Sequence, residues 1–267
     1  MEKTQLFCIK HKTLATFIGC LVFIIPFTVI YKALAIPFAA YLIACIIFAL
    51  AAILTVSTAA TALTLPAVQK LNDECDPYPL MAVSEKIVAR TKSTVESLNA
   101  KLNFCVAVSN LGQYEKNLEL LRSITIEAFP GILPQTKFVY YNNLSSAYVS
   151  LGDAETARIW FEKSGEVLSA IKNKTAAAVY NDTHRFNESE LLLLEGRAEE
   201  ALAILKTVEN NCRARSVYHA LSTAKAHIML GDTISAKTAL DYVIATGNKL
   251  YAVTEAKELL ARTEQKI

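Results

Sequence analysis

Two long stretches without a formal charge lie near the amino end of this chain, and they constrain its fold more than any other feature. No Asp, Glu, Lys or Arg occurs from Thr13 to Tyr31, and after Lys32 none returns before Lys70, with the apolar density concentrated in Ile36–Val56. At about 1.5 Å of rise per residue, each run is long enough to cross roughly 30 Å of hydrocarbon as a helix. Only Tyr31-Lys32-Ala33-Leu34-Ala35 separates them, too short for a folded loop. Residues 13–63 therefore read as a transmembrane hairpin with helices at about 13–32 and 35–58, preceded by a short cytoplasmic segment, 1–12.

A secretory signal is the rival reading: a basic start (Lys3, Lys10, Lys12), an apolar stretch, then Ala33-Leu34-Ala35 in the small-x-small form a signal peptidase accepts. The apolar stretch exceeds the usual length of about 7–15 residues and a second full run follows at once, which favours two spans. Three Lys and His11 precede the first run whereas the turn carries one Lys, so both chain ends are expected on the cytoplasmic side of an integral membrane protein. Pro26 and Pro37 fall near the span ends flanking the turn and are expected to kink or break the helices there. Neither span holds Asp, Glu, Arg or His, which disfavours a pump or channel. Ala40 and Ala44 make one small-xxx-small spacing, and Gly19 adds a second point of close helix approach.

Beyond residue 65 the charge is balanced, 23 basic against 24 acidic residues. A nucleic-acid module would show a basic face, so no nucleic-acid partner is expected. The six cysteines (Cys8, Cys20, Cys45, Cys75, Cys105, Cys212) form no C-x-x-C pair and no short Cys/His cluster. No metal is expected from them, and a reducing compartment fits. Asn143, Asn173, Asn181 and Asn187 begin glycosylation tripeptides, which stay unmodified on a cytoplasmic side and read more simply as helix or turn residues.

Leu65-Pro66 and the run from Asn72 to Pro79 read as a polar, proline-broken linker, 64–78, ending at a helix start capped by Asp76. From there apolar residues recur at spacings of three and four with almost no strand alternation, so the remainder, 79–267, is all-α. Four glycines carry the same punctuation: Leu111-Gly112-Gln113, Leu151-Gly152-Asp153, Glu195-Gly196-Arg197 and Leu230-Gly231-Asp232. Each stands where a helix must stop in a left-handed cap before a second amphipathic helix. Five residues past each glycine stand Asn117, Ala157, Ala201 and Ala236, nine past stand Leu121, Phe161, Leu205 and Leu240, and twelve past stand Ile124, Ser164, Val208 and Val243. Four before stand Val108, Tyr148, Leu192 and His227, and eight before stand Phe104, Leu144, Glu188 and Thr223.

Between Lys137 and Leu168, Tyr141, Leu144, Ser145, Tyr148, Gly152, Ala157, Phe161 and Ser164 follow the tetratricopeptide order and spacing, and this unit resembles that family strongly. The first and fourth units resemble it moderately and the third weakly on its first helix, over roughly residues 93–244. Glycine spacings of 40, 44 and 35 compare with a family period of about 34, the excess falling in Thr125–Thr136, with Pro130, Gly131 and Pro134, and in Gly165–Asp182, expected to lengthen a second helix. Ser93-Thr94-Val95-Glu96 is a capping-box signature. The resemblance implies an all-α, tetratricopeptide-like solenoid of helical hairpins near 93–124, 137–168, 182–209 and 216–244, with a preceding helix at 79–92 and a capping helix at 251–267.

It also implies a concave groove for a protein or peptide partner, formed by Asn142, Ser146 and Val149 of the second unit, Phe186, Glu190 and Leu193 of the third, and Leu221, Lys225 and Ile228 of the fourth. Family members that clamp acidic carboxy-terminal tails carry several cations there, and this set offers only Lys225, so an amphipathic helix or extended peptide suits it better. No phosphate loop, H-E-x-x-H or G-x-S-x-G motif occurs, so no enzyme and no cofactor are expected. His219, His227 and Cys212 read as structural, and Glu195, Glu199 and Glu200 as an exposed helix junction. The chain is therefore expected to be a membrane-anchored scaffold or adaptor, with the bilayer as partner of residues 13–63. The alternative is a membrane-tethered regulator that senses a peptide or small ligand in the same groove.

Overall fold

The computed structural model describes residues 2–34, 36–91, 94–129 and 131–264. Ala35 of the signal-peptidase reading, Ser93 of the capping box, Pro130, and the capping helix beyond Glu264 lie outside them. Among the described residues the fold is all-helical, with thirteen α-helices, one short 3-10 turn and no strand.

Helix α1 (Glu2–Lys10) leads into α2 (Lys12–Leu34) and, after a short break, α3 (Phe38–Glu74). Both α2 and α3 are long and apolar enough to cross a membrane, and most of their side chains are exposed, Val22, Val29, Leu42 and Leu54 among them. Core helices of a water-soluble fold would bury these groups. The two helices meet along one seam where Gly19 lies against Ala52, Phe23 stacks on Phe48, Phe27 stacks on Tyr41, and Thr28 Oγ1 bonds the Tyr41 hydroxyl at 2.9 Å. Gly19 does provide a close approach, whereas of the Ala40 and Ala44 pair Ala40 is exposed and Ala44 half-buried. Pro37 stands at the start of α3, but Pro26 sits inside α2, which runs on to Leu34.

The linker expected at 64–78 is not one. Helix α3 continues without interruption to Glu74 and turns only at Cys75, whose φ is 55°. At about 55 Å it is far longer than a bilayer's hydrocarbon. Its inward stripe of Ala52, Val56, Ala59, Ala67 and Leu71 keeps helical spacing past Pro66, whose ring points outward, so continued packing outweighs the lost hydrogen bond. The first part of this stripe faces α2, and the second faces the rest of the protein. The segment 1–12 is likewise more than a tail: Leu6 and Ile9 of α1 are buried with Ala59, Ile87 and Ala100, and Glu2 bonds Lys86 at 2.6 Å.

After α4 (Tyr78–Val88) come four repeat-like hairpins: α5 (Val95–Asn110) with α6 (Tyr114–Arg122), α7 (Pro134–Ser150) with α8 (Ala154–Ser169), α9 (Lys174–Leu194) with α10 (Ala198–Leu205), and α11 (Arg213–Met229) with α12 (Thr233–Thr246). A last helix, α13 (Ala252–Glu264), follows. At the hairpin turns Gly112, Gly152, Gly196 and Gly231 have φ of 74°, 81°, 82° and 79°. In each, the next residue's N–H donates to the carbonyl five positions back, on Val108, Tyr148, Leu192 and His227, at 2.9–3.2 Å.

The columns five, nine and twelve residues past these glycines are buried in all four hairpins, Asn117 included. A further column, seven before each glycine, is small and buried throughout (Cys105, Ser145, Ser189, Ala224) and is more regular than the aromatic column that the sequence emphasised. Ser145 shows its use: the hydroxyl donates to the Ala157 carbonyl at 2.9 Å, tying α7 to α8 at close approach. The extra residues of the third unit do not extend α8, which stops at Ser169. They add turns to α9 instead, because the Asn173 side chain caps Ala176 N–H at 2.9 Å and starts that helix eight residues before position 182. The cap of α5 falls on Thr94, whose hydroxyl accepts from Ser97 N–H at 3.1 Å.

The hairpins do not end open. Helix α11 packs on α3, and one core joins Leu71, Cys75 and Leu80 to Ala107, Val217, Leu240 and Leu250. The Tyr251 N–H donates to the Asn110 carbonyl at 2.9 Å, its ring meets Tyr114 edge-on, and Lys249 pairs with Asp76 at 2.6 Å. The last hairpin thus returns to the first and to the end of α3.

Candidate functional site

Closure of the array leaves a central basin of about 590 Å³. Its walls come from α7, α9, α11 and α13, each presenting residues three or four apart on one helix face, with Ser109 and Asn110 at the end of α5 and Tyr114 at the start of α6. Asn142, Ser146, Val149, Phe186, Glu190, Leu221 and Lys225 line it, and Val149, Glu190, Leu193, Lys225 and Ile228 line an adjoining recess of about 320 Å³. The nine residues singled out by sequence are therefore brought together, seven around the basin and Leu193 and Ile228 in the adjoining recess.

Sequence reasoning missed the far wall. Tyr251 in the turn before α13 and Glu255, Glu258 and Arg262 of α13, with Asn110 and Tyr114 of the first hairpin, complete the basin. The only available signal was the polar face of α13, which reads as a solvated surface in a terminal helix. The consequence for Lys225 is direct. Its ammonium is bonded to Glu255 at 2.8 Å and so is no free anchor for an acidic tail. Burial works against the charge, but Glu190 and Glu255 outweigh it and hold the group above the ordinary lysine range. One carboxylate oxygen of Glu190 is buried without a partner. Nearby, burial pushes the phenols of Tyr114 and Tyr218 well up, with Glu255 and Glu190 adding to it, so both stay protonated as hydrogen-bonding groups.

Phe186 is only partly free, since the Arg215 guanidinium lies 5.4 Å above its ring while bonding the Asp182 carbonyl at 2.6 Å. The amide of Asn187 bonds Asn142 Oδ1 at 3.3 Å, linking α9 to α7 across the basin floor. A side recess of about 140 Å³ is lined by Ser109, Asn110, Asn117, Asn143 and Ser146, and there Asn117 Oδ1 and Asn143 Nδ2 are buried with no partner. Asn117, the one departure from its small-residue column, thus supplies a polar atom to a cavity.

The histidines and acids are placed by packing. His219 Nε2 lies 2.8 Å from the Leu205 carbonyl, and His227 Nδ1 lies 3.2 Å from Asp232 at a hairpin turn. Neither bonds the Cys212 thiol. Glu195 pairs with Arg158 at 2.5 Å and with Arg197 at 3.2 Å, and Arg197 pairs with Glu200 at 2.6 Å. His184, not singled out by sequence, stacks on Phe161 at 4.0 Å and bonds Ser164 Oγ at 3.0 Å, and burial pushes its imidazole down to about 4. Among the described residues no three His, Cys, Asp or Glu stand together as a metal site.

Comparison with protein-family models, curated proteins and solved structures returns no match.

Proposed function

We propose that this chain is a membrane-anchored adaptor whose array is a divergent tetratricopeptide-type solenoid and whose basin holds a short, largely polar peptide segment of a partner protein. The observation that carries the reading is the convergence of nine residues, chosen by repeat position alone, on the basin and its adjoining recess, where a carboxylate oxygen of Glu190 is unpartnered, with further unpartnered polar atoms of Asn117 and Asn143 in the side recess. Buried polar groups are normally satisfied, so such atoms suit a hydrogen-bonding occupant such as peptide backbone. The limited volume and the far wall of α13 favour a chain end or tight loop over a long amphipathic helix. The hairpin of α2 and α3 would hold the basin at the bilayer and raise its effective concentration towards membrane partners.

The test places a photo-crosslinking residue at Ser146 in the basin or at the exposed Ile234 outside it, in full-length protein in its own membrane. A discrete crosslinked partner peptide at position 146, absent at 234 and lost on adding Phe186→Ala, is the expected result. Equal crosslinks from both positions would refute the reading. Cytoplasmic placement of both ends is tested with impermeant thiol reagents on intact cells carrying Cys212 as sole cysteine. Cys105 cannot serve, being buried with its thiol pushed up to about 12.

One observation favours a ligand-sensing regulator as second reading. The Lys225–Glu255 bond joins the basin wall to α13, so an anionic occupant that takes Lys225 would release the terminal helix. Proteolytic exposure of residues 252–264 on adding acidic peptides separates the two readings.

A further inference from the structure

A second cavity, of about 460 Å³, opens where the hairpin array meets α3. One wall is α3 itself: Ser57, Thr61, Thr64 and Val68 recur at spacings of four, three and four, forming a face distinct from the stripe that packs inward. Opposite stand Asn99 and Asn103 of α5, Gln135 at the start of α7, and Tyr180 of α9. These walls mix polar groups with the apolar side chains of Leu65, Val95, Leu102 and Val139, and among the described residues they hold no free charge. Among the described residues the only ionised lining residue, Glu96, is paired with Lys12. Gln135 Oε1 is buried and has no partner among the described residues.

Position adds to this chemistry. Ser57 directly follows the apolar Ile36–Val56 stretch, and Ile53 and Leu54, one turn earlier on the same side of α3, are 48% and 65% exposed. The cleft therefore lies at the depth where hydrocarbon gives way to headgroups, provided α2 and α3 span a bilayer as read above.

We propose that this cleft binds the headgroup of a neutral glycolipid, a sugar-bearing diacylglycerol, with its acyl chains against Ile53 and Leu54. Hydroxyl and amide side chains supply the mixed donors and acceptors that sugar hydroxyls match. A phosphate headgroup would need a cation or a charge-assisted donor, and among the described residues the lining offers none unpaired. The volume falls within the roughly 300–1,000 Å³ range of small-ligand sites.

The experiment uses full-length protein in phosphatidylcholine nanodiscs doped with monogalactosyl diacylglycerol, plain diacylglycerol or phosphatidylglycerol, and follows amide exchange. Galactolipid alone is expected to slow exchange in residues 95–103 and 135–139 by roughly tenfold, as for a ligand at about ten times its Kd. Thr61→Leu with Gln135→Leu should abolish that protection, and Thr58→Leu, an exposed residue outside the cleft lining that bonds its own backbone, should leave it intact. Equal protection by phosphatidylglycerol or by plain diacylglycerol overturns the headgroup assignment, and full protection by methyl galactoside alone overturns the lipid. A chain that fails to float with vesicles of any composition overturns the membrane reading together with the cleft. Stable insertion without galactolipid-specific protection overturns the cleft alone.

Discussion

Closure of the array can be isolated by comparing two glycine substitutions that share one backbone cost. Gly112 and Gly152 both sit at positive φ, 74° and 81°, so alanine at either position carries the left-handed penalty of about 1–2 kcal/mol. Their surroundings differ completely. A Cβ at Gly152 meets nothing within 4 Å, whereas one at Gly112 would lie 2.4 Å from ring carbons of Tyr251. Relief requires Tyr251 to move, and its N–H then loses the Asn110 carbonyl and its ring loses Tyr114. One backbone hydrogen bond at about 1 kcal/mol and one aromatic pair at about 1 kcal/mol give an expected extra loss of about 2 kcal/mol for Gly112→Ala. For a folded part of this size that is a further drop in Tm of about 4–8 °C beyond that of Gly152→Ala. Melting in detergent supplies the stability difference, and amide exchange at Tyr251 supplies its location: faster in Gly112→Ala, unchanged in Gly152→Ala. Equal Tm losses with unchanged exchange at Tyr251 would show that the last hairpin does not lean on the first, and the reasoning would fail.

Other consequences follow from burial and charge. His184 stays neutral in the fold down to about pH 4 but takes a proton near 6.5 when unfolded, so stability is full above pH 6.5 and declines as pH falls towards 4. Allowing for the ring's partial exposure the loss is about 2 kcal/mol, and His184→Phe should flatten that part of a stability-against-pH curve. Asn117→Ala removes a buried amide oxygen that lacks a partner and should raise stability by up to about 1 kcal/mol in urea titrations, while Ala157→Leu, fully buried at the same repeat position, should lower it by about 1–3 kcal/mol. Leu71→Ala should cost about 2–4 kcal/mol although it lies in a stretch that reads as linker, and a loss below about 1 kcal/mol would mean that this end of α3 is not part of the core.

Much of this was legible in one dimension because it rests on local chemistry. A charge-free run long enough to span hydrocarbon is visible as composition. A glycine needed for positive φ, followed by small and bulky residues at fixed offsets, is visible as spacing, and Gly112, Gly152, Gly196 and Gly231 all adopt that geometry. The helix faces of Asn142, Phe186, Lys225 and their companions were legible for the same reason, since a residue's offset from the turn fixes which face it occupies. Two local signals misled. Pro66 and the polar run after it suggested a break in α3, yet Ala67 and Leu71 find partners on distant helices and keep the helix whole. The irregular Gly165–Asp182 stretch was assigned to the wrong helix, because capping by Asn173 decides where α9 begins.

By itself the sequence determined the all-helical class, the two apolar helices, the four turns and the faces that the hairpins turn inward, since each depends on neighbours within a few residues. Only the tertiary structure decided that α3 is both apolar helix and core element, that Tyr251 returns to Asn110, and that Lys225 is bonded to Glu255. Those contacts join residues far apart in the chain and depend on the small rotation between successive hairpins, summed over the array, which no local spacing encodes.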